Sequence, residues 1–424
     1  MMVRYLFLFL SCFLFLSGKT LNDTYFYPHS FRFDLLLGGN ASEVKVYPQQ
    51  MKQEPFWGGS RSQFIDPHNY GTYRYKIIDS ESNEVIYSRG FSTLFQEWQT
   101  TAEAKVTDRM FYHCLVFPYP KQKFKLKIEA RQWSGEFRSL FSSEIDPYDY
   151  FIINEPVHTY EAFDVLLNGD SENKVDLVIL AEGYLQEEKK KFVDDAQRIS
   201  GYLFNEEPFK SRKNSFNIRA VFTPSLDSGT DIPGEGIYNN TTFNSTFYTF
   251  NIDRYLTASD MKAIHDAAAN VPYDYIYVLV NSNRYGGGGI YNFLNVCTSD
   301  HPLSGEVFIH EFGHGFAGLG DEYYSSSVAY EGFYNIETEP WEPNLTTLVN
   351  FKSKWASMVH DTVPVPTPRN LKYSETVGVF EGGGYQTKGI YSPYINCRMK
   401  SNDAKGFCPV CIKAIQSVID FHCQ

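Results

Sequence analysis

The hydrophobic period of this chain changes once along its length, and that change calls for two different folds in succession. From about Tyr25 to Ile145, apolar and polar residues alternate in short runs. Examples are Phe31-Arg32-Phe33-Asp34-Leu35, Tyr73-Arg74-Tyr75-Lys76-Ile77 and Phe124-Lys125-Leu126-Lys127-Ile128. Successive side chains of a strand point to opposite faces, so a period of two marks strands with one buried face. Turn residues interrupt the runs at Gly38-Gly39-Asn40 and Asp79-Ser80. Strands of this kind bury their apolar faces against one another, which predicts an all-β sandwich domain over residues 20–150. Asp146 to Thr159, with two prolines, reads as a linker.

Beyond it, strand and helix patterns alternate. Val175 to Leu180 and Tyr275 to Val280 are nearly continuous apolar runs, as expected of strands covered on both faces, and the second reads as central. Ile218 to Phe222 is a third strand. Phe192, Ala196, Ile199 and Leu203 recur at helical spacing, and Ser259 is placed to cap a helix carrying Met261, Ile264 and Ala268. This order predicts an α/β domain over residues 155–424 with a mainly parallel, twisted sheet.

The net charge is −12, with 38 basic against 50 acidic residues. That balance argues against a nucleic-acid partner, because phosphate binding needs clustered positive charge. Met1 to Gly18 combines an early Arg4, an apolar run from Leu6 to Leu16 and the small pair Ser17-Gly18, the pattern of a secretory signal peptide. The run is too short for a membrane span, and no later segment is long and apolar enough. The expected location is therefore the periplasm, the cell surface or the medium. Cys114, Cys297, Cys397, Cys408, Cys411 and Cys423 remain after removal of that segment. Disulfides, a small structural metal site and free thiols are all open to them, and spacing alone does not choose. Cys408-Pro409-Val410-Cys411 reads as a structural staple before the final helix rather than a redox motif.

The chemistry is concentrated at His310-Glu311-Phe312-Gly313-His314. Pro302 to Ile309 supplies a helix start, with Asp300 or Ser304 as cap. Residues four apart share one helix face, so His310 and His314 can reach one metal ion, and imidazole nitrogen suits Zn2+. Glu311 is then the general base that takes a proton from the attacking water. A catalytic zinc needs a third protein ligand. Gly315, Gly318 and Gly320 end the helix and let the chain turn back, which makes Asp321 the first choice and Glu322 the second.

The run from His310 to Tyr323, H-E-F-G-H-G-F-A-G-L-G-D-E-Y, resembles the IgA-peptidase family of zinc metallopeptidases, a metzincin-like group. The resemblance covers most of Val175 to Cys411. It is strongest at Tyr285 to Tyr324 and at Glu381 to Cys411. It implies a mixed α/β metallopeptidase domain with an active-site helix, preceded by a β-rich domain. It also implies metal ligands at His310, His314 and Asp321, and a catalytic base at Glu311. Relative to the wider metzincin pattern, Gly318 and Asp321 each fall one residue late. Cys397-Arg398-Met399 resembles the methionine turn of metzincins, although Met399 is equally an ordinary core methionine.

Three softer features accompany the motif. Gly286 to Gly289 reads either as a strand edge able to pair with an extended peptide or as a surface loop. Tyr385 and Tyr391 are candidates to assist an oxyanion. Asn344-Leu345-Thr346 is a glycosylation sequon. Together these readings predict a secreted zinc metallopeptidase acting on protein or peptide substrates, a host glycoprotein among the candidates. The rival expectation is a surface glycan- or glycoprotein-binding protein with a structural or inactive metal site, motivated by the aromatic-rich N-terminal domain.

Overall fold

Alternating runs become paired strands wherever the apolar face finds an opposite sheet. The computed structural model describes residues 24–324 and 333–423, so Met1–Gly18, the segment expected to be a signal peptide, lies outside the described residues. The N-terminal strands are β1 (Phe26–Gly39), β2 (Val44–Glu54), β3 (Tyr73–Asp79), β4 (Val85–Phe91), β5 (Arg109–Pro120), β6 (Phe124–Arg131) and β7 (Phe137–Ile145), with a short helix α1 (Leu94–Trp98) before β5. They form two sheets, in the orders β5-β1-β2-β8 and β4-β3-β6-β7. The added strand β8 (Ile152–Ile153) comes from the linker and pairs parallel to β2, so the linker is partly built into the sandwich. Between the sheets lies an aromatic core. Phe31 of β1 stacks on Phe117 of β5 at 5.0 Å and meets Phe124 of β6 edge-on at 5.4 Å.

The reverse face of β1 departs from the half-buried pattern. Arg32 and Asp34, the polar members of the alternation, are as buried as their apolar neighbours because this face packs on the second domain. Arg32 grips Asp34 through Nε at 2.8 Å and Nη2 at 2.9 Å. Its Nη1 reaches Glu54 at 3.0 Å and Asp266, across the interface, at 2.9 Å. Lys52 also reaches Asp266, at 2.7 Å, and the Tyr273 hydroxyl donates to Glu54 at 3.1 Å. Removing one partner of such a set strands the others as buried charges. Arg32→Ala is expected to cost about 3–5 kcal/mol of stability in urea denaturation, and a loss below about 1 kcal/mol would show that solvent enters the interface and compensates.

The second domain contains a six-stranded sheet of order β15-β16-β14-β10-β11-β9. Its strands are β9 (Glu161–Leu166), β10 (Val175–Glu182), β11 (Phe216–Phe222), β14 (Tyr275–Val280), β15 (Gly287–Ile290) and β16 (Leu294–Thr298), while β12 (Ser245–Thr246) and β13 (Thr257–Ala258) form a separate small pair. The four inner strands run parallel and the two edge strands antiparallel. The helices are α2 (Lys189–Leu203), α3 (Met261–Ala268), α4 (Ser304–Ala317) and α5 (Pro409–His422), and β17 (Phe380–Gly383) pairs with β18 (Gln386–Ser392). Leu177 and Ile179 of β10 face Phe192, Phe312 and Ile415 on α2, α4 and α5. Val178 and Leu180 turn to Ile264 and Ala268 on α3. This double coverage explains the unbroken apolar runs.

Two expected caps act differently. The cap of α3 is Asp260, not Ser259; its side chain accepts from Ala263 N. Helix α4 starts at Ser304 with Leu303 in the cap position and no side-chain cap. Asp300 is instead held by Lys191 and Arg198 of α2. Among the described residues, no helix is long and apolar enough to cross a membrane.

Candidate active site and metal centre

Helix α4 carries His310 and His314 one turn apart, and Gly318 ends it. Gly318 adopts φ +62°, which a side chain would strain, and its N–H returns to the His314 carbonyl at 3.0 Å while Leu319 N returns to Gly313 O at 3.2 Å. This cap reverses the chain. It brings the Leu319 carbonyl to His314 Nδ1 at 2.6 Å and Asp321 to both imidazoles. Asn344 clamps the turn by bonding both the N–H and the carbonyl of Gly320 at 2.8 Å. Asn344 is fully buried in this role, so the sequon has no accessible amide for a glycan.

Three lone-pair atoms converge as a result. His310 Nε2 and His314 Nε2 lie 3.1 Å apart, and Asp321 Oδ1 lies 3.2 Å from the first and 3.3 Å from the second. The Nδ1 atoms of the two histidines face the carbonyls of Arg398 and Leu319, an arrangement that puts the proton on Nδ1 and leaves Nε2 free to coordinate. Asp321 Oδ1 is buried yet accepts no aligned hydrogen bond. Its other oxygen is fixed by the Tyr385 hydroxyl at 2.5 Å. A triangle of this size is one face of a tetrahedron whose centre lies about 2.0 Å from each atom, the length of a zinc–nitrogen bond. The residues therefore fit a zinc ion. Glu322, the second choice, points away and accepts from Asn344 at 2.9 Å.

Electrostatics agree with a cation at that point. Burial alone would discharge His314, but Asp321 outweighs it and lifts the imidazole to about 9. Burial likewise opposes charge on Asp321, yet the two imidazoles close beside it, His314 foremost, hold its carboxyl well below the usual range. Burial pushes the Glu311 carboxyl up, against the pull of the two histidines. Glu311 nevertheless keeps a surface on the cleft, as His310 and His314 do.

The glycine run is the edge strand β15, and its lack of side chains sets the height of α4. A Cβ on Gly289 would sit 2.2 Å from the Glu311 carbonyl oxygen, and one on Gly287 would meet Val307 at 2.6 Å. Helix and strand backbones thus touch directly, with the Glu311 carboxylate beside Gly287. Beneath the helix, Met399 is fully buried, and its sulfur lies 2.7 Å from where a Cβ on Gly313 would be. The Met399 carbonyl receives Glu322 N at 2.8 Å. The turn Cys397-Arg398-Met399 therefore packs under the imidazole pair.

A cleft of about 1390 Å³ opens over this centre, and both domains line it. Residues 164–372 and 369–419 match the model of a family described as IgA Peptidase M64, and residues 22–142 match one described as Peptidase M64 N-terminus. The chain belongs to the IgA peptidase M64 family. No curated protein matches it.

The M64 N-terminal domain supplies a residue that the motif gave no sign of. Glu97 of α1 accepts a hydrogen bond from the Tyr255 hydroxyl at the cleft wall. Burial, with Glu311 and Asp321 adding to it, raises its carboxyl to about 7 despite that hydrogen bond and the nearby His314. Arg254, stacked over Tyr323 at 5.9 Å, is the cation facing the site from the same segment. None of the three has a local signature, since each acts only through contacts distant in sequence. Of the two tyrosine candidates for the oxyanion, Tyr385 is spent on Asp321, and Tyr391 lies in β18 paired with Thr346, outside the cleft lining. The six described cysteines form no disulfide, so a disulfide between Cys408 and Cys411 is not the form any staple takes here.

Proposed function

We propose that this M64 peptidase is a secreted zinc endopeptidase, freed from its Met1–Gly18 signal segment into the periplasm, the cell surface or the medium. The observation that carries the reading is the convergence of His310 Nε2, His314 Nε2 and Asp321 Oδ1 on one point of an open cleft, with Glu311 beside it. A zinc ion bound there supplies Lewis-acid polarisation of the scissile carbonyl and acidifies water. Glu311 takes the proton of the attacking water on its carboxylate and passes it to the leaving amine nitrogen. Strand β15 lies next to Glu311, and since Leu256 N already donates to Gly287 O at 3.3 Å, main-chain pairing with an extended substrate would fall to its Gly289 end. The cleft exceeds the roughly 300–1,000 Å³ of small-molecule pockets, which favours a polypeptide substrate cut internally over a terminal residue. The packing of Met399 under Gly313 supports a metzincin-like plan.

The test is incubation of the mature chain with a diverse peptide library, products being identified by mass spectrometry. Cleavage that stops with a chelator and returns with added zinc is expected. Absence of cleavage by zinc-loaded protein, with tight binding of a glycan or glycoprotein, would sink the peptidase reading for this chain and favour the binding one.

A further inference from the structure

The three cysteines Cys397, Cys408 and Cys411 gather around Glu322 directly behind the imidazole pair. All four side chains are 3% exposed or less. One potential ligand atom from each lies within 4.8 Å of every other. Cys397 Sγ and Cys411 Sγ are 3.8 Å apart, and Cys411 Sγ is 3.2 Å from Glu322 Oε1. Glu322 Oε2 is buried with no partner.

An apolar core does not account for this group. Thiols alone can pack as small hydrophobes, but a buried carboxylate with an unsatisfied oxygen among them costs free energy unless a cation or proton compensates it. A disulfide does not account for it either. Three sulfurs leave one over after any pairing, and Glu322 Oε2 would still lack a partner. A metal ion resolves both. A separation of 3.8 Å is the edge of a tetrahedron whose corners lie about 2.3 Å from its centre, the zinc–thiolate bond length. The surroundings suit thiolates too. Cys408 N donates to Cys397 Sγ at 3.2 Å, Cys408 occupies the N-cap position of α5 at the positive end of the helix, and Lys400 is near enough to interact with Glu322 and Cys397.

We propose that Cys397, Cys408, Cys411 and Glu322 hold a second, structural zinc ion, distinct from the one at His310, His314 and Asp321. Its place gives it a task. Glu322 follows Asp321 in sequence, and Cys397 precedes Arg398, whose carbonyl orients His310, and Met399, which lies under the helix. A tetrahedral ion joining Glu322, Cys397 and the start of α5 pins both segments that shape the catalytic centre. The sequence signal was present as the Cys-x-x-Cys pair, but its partners are a residue beside the catalytic acid and a cysteine on a turn, which spacing alone does not connect.

The test counts zinc per full-length chain by inductively coupled plasma mass spectrometry and reads its ligands by X-ray absorption at the zinc edge. The wild type is expected to hold two zinc ions, and His310→Ala/His314→Ala one, with a sulfur-dominated shell at about 2.3 Å. Cys408→Ser/Cys411→Ser is expected to lose that shell. Should the cysteine variant fail to fold, the wild-type spectrum still decides. A single zinc with only nitrogen and oxygen neighbours overturns the proposal, as does a disulfide among these three cysteines in the unreduced protein. A sulfur-bound zinc in a chain that cleaves no peptide would uphold this site while removing the peptidase reading.

Discussion

Glu311→Gln is expected to retain the zinc content of the wild type while lowering kcat/KM by about 10²–10⁴-fold, the range over which a positioned general base contributes. The substitution keeps the size and burial of the side chain beside Gly287 and removes only its ability to accept a proton. It does not touch His310 Nε2, His314 Nε2 or Asp321 Oδ1, whose mutual spacing of 3.1–3.3 Å defines the proposed metal site. Metal analysis and turnover on one peptide substrate therefore separate the two roles. Equal zinc with lost turnover is the predicted result. Full activity in the variant would remove Glu311 from the reaction and shift the base to another cleft carboxylate, with Glu97 the first to examine because its carboxyl sits at about 7.

Much of the centre was legible because its geometry is local. His310, Glu311 and His314 are fixed by helical spacing. Asp321 is fixed by a cap whose glycine must adopt φ +62° at Gly318. The choice between Asp321 and Glu322 was also readable in outline, though only the fold shows that the chain alternates there, sending one carboxylate to the imidazoles and the next to the thiols. The central strands were legible for the same reason, since coverage on both faces leaves an unbroken apolar run. What stayed hidden depends on contacts distant in sequence. Arg32 looked like the solvent side of an amphipathic strand, because alternation reports polarity and not what the polar face meets. Glu97 and Tyr255 come from different domains and are joined only by docking. Tyr385 had a plausible catalytic role on paper. Its hydroxyl is instead committed to Asp321, and no spacing rule announces a side-chain bond across 64 positions.

That bond makes Asp321 the place where metal affinity and loop structure meet, and its substitution should have the largest effect on zinc at the catalytic centre. Asp321→Ala removes the only carboxylate of the triangle, leaving two imidazoles to hold the ion, so zinc affinity at that centre should fall by about a hundredfold or more, with activity lost in proportion. Tyr385→Phe keeps the carboxylate but frees Oδ2 to rotate, and loss of such a supporting bond costs on the order of 10–100-fold in metal affinity or activity. Titration of metal-depleted protein with zinc measures both, and circular dichroism checks that the fold persists. Added zinc should restore Tyr385→Phe activity more fully than that of Asp321→Ala, because only the first variant still closes the triangle. If Asp321→Ala binds zinc at the catalytic centre as tightly as the wild type, Asp321 is not a ligand, and its unsatisfied Oδ1 must be compensated by a proton shared with His314.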